Sequence, residues 1–82
     1  MFLHIGADRS VPVKDIALIL DCGDGMPEVT RKALNLKKCI DAGDTRRSAV
    51  LTADTVYYSP IGCSALRNRL RQILELMYTD EH

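Results

Sequence analysis

The sequence predicts an α+β fold, a small and mostly antiparallel sheet with two helices. Three observations carry this expectation. Short runs rich in β-branched and aromatic residues recur between turn residues, at 1–6, 10–13, 16–20, 48–52 and 55–58. Two longer stretches, from Pro27 to about Ala42 and from Ala65 to about Tyr78, repeat apolar residues with the helical period. The chain has 82 residues, of which 46% are hydrophobic and 27% charged, so one folded domain spanning 1–82 is expected rather than disorder.

Phe2, Leu3 and Ile5 make a first strand that stops at Gly6-Ala7-Asp8. The segment 10–13 resumes with Val11 and Val13 and can pair back as a hairpin, with Pro12 confining it to an edge or a strand end. The run IALIL at 16–20 suits a strand buried on both faces, or one covered by an oligomer contact. The segment DCGDGM at 21–26 reads as a loop. It has too few oxygen ligands for calcium and lacks the Gly-Lys-Ser/Thr ending of a phosphate loop.

Pro27 and Glu28 then suit the first turn of a helix. Val29, Ala33, Leu36 and Ile40 fall on one face, Arg31 and Lys38 on the opposite face, and Lys32 and Lys37 beside the stripe. Gly43 is the expected C-cap. The strands at 48–52 and 55–58 are separated at Ala53-Asp54 by either a tight reversal or a short helical turn. Tyr57 and Tyr58 point to opposite sheet faces, one into the core and one toward a surface or interface. Ser64 is the expected N-cap of the last helix. That helix carries Leu66, Leu70, Ile73 and Met77 in a stripe widened by Leu74 and Leu76, a large face for so small a domain. Tyr57, Tyr58, Leu70 and Met77 are therefore the candidate oligomer contacts. Arg67, Arg71 and Glu75 form a helical charge ladder, and 79–82 a frayed acidic tail.

Composition excludes several function classes. Three widely spaced cysteines, Cys22, Cys39 and Cys63, fit neither a disulfide framework nor a zinc site and read as buried or half-buried thiols. His4 and His82 are the only imidazoles, and the carboxylates Asp21 and Asp24 sit in a turn. No positioned acid, base or nucleophile emerges, so the expectation is no enzyme, no cofactor and no metal. No secretory leader or membrane span is visible, which predicts a cytoplasmic protein without a membrane partner.

Formal net charge is zero, which excludes a uniformly basic protein but not a basic face balanced elsewhere. The best-placed cations are the adjacent Arg46 and Arg47 at a strand entry. Guanidinium groups match phosphates bidentately, although in a regular strand only one of two neighbours meets a given surface. Arg31 and Lys38 of the first helix are further candidates, with a solvated helix face as their ordinary reading.

The opening FLHIGADRSVPVKDIALILD and the central AVLTADTVYYSP resemble the RemA/RemB-like family of small bacterial regulators of extracellular-matrix and biofilm genes. The resemblance covers about residues 1–71 and is nearest to the RemB branch, through Phe2, Leu3 to Gly6, Lys14 to Ile16 and the fairly specific VYYSP at 56–60. It implies a transcription regulator that binds double-stranded DNA without a helix-turn-helix. It also implies a LytTR-like subunit and a homo-oligomer that closes into a ring. In the RemA branch arginines just after a glycine are implicated in DNA binding. Here Asp44 and Thr45 follow Gly43, and the pair arrives later as Arg46 and Arg47. A second basic position of the family falls on Lys14 or the acidic Asp15. Two readings follow: a DNA-binding regulatory oligomer, or an oligomeric protein-interaction module with no direct DNA contact.

Overall fold

The computed structural model describes residues 1–23 and 25–79. Asp24 of the expected loop and the tail residues 80–82, His82 among them, lie outside the described residues. The strands are β1 (Phe2–Gly6), β2 (Arg9–Pro12), β3 (Leu18–Asp21), β4 (Lys38–Asp41), β5 (Ser48–Leu51) and β6 (Thr55–Ser59). The helices are α1 (Glu28–Asn35) and α2 (Cys63–Thr79), with a 3-10 turn at Val13–Asp15.

β1 and β2 form an antiparallel hairpin of their own. The other four strands make one sheet in the order β3-β5-β6-β4. Within it β3 pairs with β5, and β5 with β6, antiparallel, while β4 runs parallel to β6. The expected α+β class with a mostly antiparallel sheet and two helices therefore holds. The period-two alternation of β5 and β6 splits the core. Ala49, Val56 and Tyr58 face α1, where they pack with Leu34, Leu20 and Leu51. Val50 and Tyr57 face the other way, toward the hairpin and α2, with Leu3, Ile5, Val11, Ile19 and Leu66.

The first helix corrects the expectation most. It ends at Asn35, and the residues expected in its later half form β4. Leu36 still bonds back to Ala33, and Lys37 to Leu34, and there the helical bonding stops. Lys38, Cys39, Ile40 and Asp41 instead find open ladder positions along Thr55, Val56, Tyr57 and Tyr58. Tertiary pairing overrides a helical period that only four apolar residues supported. The helix is also rotated from the expected face. Leu34 is 3% exposed, whereas Val29 is 75% and Leu36 89% exposed.

Other boundaries move for local reasons. Gly43 follows a strand, not a helix. A Cβ there would sit 2.7 Å from Cγ of Pro60, so glycine is required by close approach rather than by a cap. Gly6 is constrained twice, by φ +141 and by a would-be Cβ 2.8 Å from the carbonyl oxygen of Ala42. Helix α2 begins at Cys63, and Ser64 lies inside its first turn instead of capping it. β3 is an edge strand with Leu18 exposed, so it is not buried on both faces within this chain. Cys22 and Cys63 are half-buried as expected, while Cys39 is exposed.

The VYYSP segment is the joint of the fold. The buried Ser59 hydroxyl donates to the carbonyl of Ile5 in the hairpin and accepts from the Ile61 amide at 3.0 Å. The Ser48 hydroxyl donates to the Ile61 carbonyl at 2.7 Å. Pro60 fills the space that Gly6 and Gly43 leave open. Ser59→Ala orphans both partners, so a loss of about 1–3 kcal/mol is expected by urea denaturation.

Candidate nucleic-acid interface

Arg46 and Arg47 sit where β5 enters the sheet. The backbone of Arg47 is already in the ladder: its N–H donates to Ser59 at 2.9 Å and its carbonyl accepts from Cys22 at 3.1 Å. The neighbouring side chains therefore lean to opposite faces. Arg46 lies over the Tyr58 ring, 4.0 Å from its centroid, on the α1 side. Its Nε donates to Asp41 Oδ1 at 2.7 Å and its Nη2 to Oδ2 at 3.0 Å, a bidentate fork. The guanidinium of Arg47 lies on the other side, close enough to Gly62 that a Cβ there would be 3.4 Å from its Nη2. Among the described residues that guanidinium makes no hydrogen bond or ion pair. Both arginines share one end of the sheet, one anchored and one open.

Electrostatics follow from this geometry. The hydrogen bonds from Arg46 hold the Asp41 carboxyl below its usual range, and the same bonds raise Arg46. Burial, then the adjacent Asp21 carboxylate, pushes the Cys22 thiol up, so Cys22 is a poor thiolate. The positive charges of Arg46 and Arg31 partly oppose that rise. Burial likewise raises the Tyr58 phenol.

The remaining predicted cations gather elsewhere. Lys38 opens β4 opposite Thr55, and Lys14 lines a hollow with Thr52, Ala53, Asp54 and Tyr57. Both belong to the β5–β6 turn end, where Lys37 also donates from Nζ to the Ala53 carbonyl at 3.0 Å. The four residues of β5 separate the two ends by roughly 10 Å. The structure thus puts Arg46 and Arg47 at one sheet end, leaves Lys14 and Lys38 apart from them, and carries exposed Arg31 on α1.

The predicted interface residues also divide. Tyr57 is half-buried against the α2-side core, and Tyr58 is 5% exposed beneath Arg46. Leu70 is half-buried against the same core as Tyr57. Met77 is exposed and lines an apolar groove of about 620 Å³ with Met1, Phe2, Pro12, Val13, Lys14 and Leu74. Sequence reasoning missed Asp41 as the partner of Arg46, because the helix expected there placed its side chain elsewhere. The five-residue spacing of opposite charges was the available signal.

A small α+β chain with two arginines at one sheet end, beside Asp21 and Asp41, can now be set beside known proteins. The family model described as RemA-like, "Extracellular matrix regulatory protein A-like", matches residues 2–70. The chain belongs to this family. Among its relatives, Extracellular matrix regulatory protein B of Bacillus subtilis (strain 168) is 30% identical over 79 residues, 93% of this chain and 98% of its own length. The RemA-like match takes in both arginines, Asp41 and the whole VYYSP joint, and it ends within α2 at Leu70. Among the described residues no group of three or more His, Cys, Asp and Glu side chains is placed to hold a metal ion. No helix among them is long and apolar enough to cross a membrane.

Proposed function

We infer that the chain is a DNA-binding transcriptional regulator, acting in the cytoplasm as a homo-oligomer on extracellular-matrix and biofilm genes. The observation that carries this reading is the arginine pair at one sheet end, with the Arg47 guanidinium lacking an internal partner, in a family named for matrix regulation. An arginine in that state presents its full fork of donors to a phosphate. One subunit offers few such groups. A closed assembly repeats them about its axis and turns a modest patch into a continuous cationic rim. Exposed Phe2, Leu76 and Met77 supply apolar surface for such assembly.

A second reading is an oligomeric protein-interaction module that does not touch DNA. The Asp41–Arg46 pair favours it, because it cancels one of the two charges, and so does the separation of Lys14 and Lys38 from the pair. One experiment separates the readings. The purified chain is sized by light scattering and titrated against duplex DNA at about 50 mM salt, where phosphate contacts are strongest. Retardation of the duplex by an assembly larger than one chain is expected. An assembly that leaves every duplex unshifted favours the interaction module.

A further inference from the structure

We propose that Asp41 is a positioning residue, which holds Arg46 in the geometry that meets a nucleic-acid phosphate. The proposal rests on the DNA-binding reading and deepens it by assigning a role to a carboxylate in a cationic site.

A carboxylate beside a phosphate-binding arginine looks counterproductive, since it removes net charge. The geometry gives it another use. Asp41 closes β4 directly opposite Tyr58 of β6, so its backbone is fixed by the parallel ladder. Its two oxygens take Nε–H and one Nη2–H of Arg46 at 2.7 and 3.0 Å. The Tyr58 ring, itself buried in the α1-side core, supports the guanidinium from below at 4.0 Å. Two of the five N–H groups of the guanidinium are thereby used, and the others point away from the carboxylate. The pair remains about half exposed to solvent, so those free N–H groups stay accessible.

An arginine side chain has many rotamers, and a phosphate contact must order it. Asp41 and Tyr58 do that ordering before DNA arrives. Two effects of removing the carboxylate then oppose each other. Each subunit gains a positive charge, which attracts DNA at long range, and Arg46 loses its fixed geometry. At about 0.2 M salt the Debye length is under about 8 Å, and the long-range gain is screened. The lost pre-organisation is not screened, so it wins at that salt.

The test compares wild type with Asp41→Ala in duplex titrations from about 50 mM to about 0.2 M salt. At the upper concentration Asp41→Ala is expected to bind about two- to tenfold more weakly. Its log–log salt dependence is expected to be steeper than that of wild type, because Arg46 then contributes an uncancelled charge. The charge change alone steepens that slope, so it is the weaker binding at about 0.2 M, against the added positive charge and with the urea midpoint unchanged, that marks positioning. Binding by Asp41→Ala as tight as wild type or tighter at about 0.2 M overturns the proposal. Asp41→Asn, which keeps the side-chain shape but only one acceptor oxygen, is the second variant should the alanine variant unfold, with the same loss expected and the same result overturning it. If wild type itself shifts no duplex, the underlying DNA reading fails, and that outcome is distinct from a failure of Asp41.

Discussion

Leu66→Ala is expected to lower the unfolding free energy by about 2–5 kcal/mol, measured as a fall in the urea midpoint at unchanged slope. Leu66 is fully buried and packs among Leu3, Ile5, Val11, Ile19, Ala42 and Val50. It is the residue through which α2 enters the core shared by the hairpin and the four-stranded sheet. Truncation leaves a cavity between three elements that hold one another by this contact. Small domains have total stabilities of about 5–15 kcal/mol, so one substitution removes a large share. Leu36→Ala is the matched control. Leu36 is exposed just past the end of α1, and its truncation is expected to change stability within about 0.5 kcal/mol.

Arg46→Ala combined with Arg47→Ala is expected to leave the assembly intact and to weaken duplex binding uniformly across sequences. Each arginine that engages a phosphate contributes roughly 0.9 to the log–log salt slope, so the double variant loses about two units per engaged subunit. Arg47→Ala carries the larger part, because its guanidinium has no internal partner while that of Arg46 is shared with Asp41. The fold tolerates both changes. The ladder at Arg47 uses its backbone, not its side chain, and Arg46 covers Tyr58 only from outside. Sizing of the variant and a mobility-shift titration check both statements. An unchanged titration removes these two residues from the interface.

Sequence patterns carried much of this structure, and the places where they did not are informative. The hairpin at the start, the pairing of 48–51 with 55–59 and the last helix were legible because local periodicity and turn residues agreed with tertiary pairing. The first helix was half misread, because KCID at 38–41 has a weak local preference and becomes a strand only through β6, which arrives later in the chain. That single error also hid Asp41. Arg46 and Arg47 were legible as candidates from their adjacency alone. Their unequal states were not, since the Asp41 fork and the Tyr58 support depend on the parallel β4–β6 register. VYYSP marked the family from sequence, and the structure gives it a physical reason: Ser59 and Pro60 lock the hairpin, β4 and α2 around one point.

The salt dependence of duplex binding by the wild-type assembly tests the regulatory reading most directly. An oligomer that presents its arginine pairs around a common rim engages phosphates with several subunits at once. A log–log slope steeper than about −2, more than one Arg46–Arg47 pair can supply, is the expected result. Absence of any duplex shift at about 50 mM salt, from a chain that light scattering shows to be assembled, would contradict it.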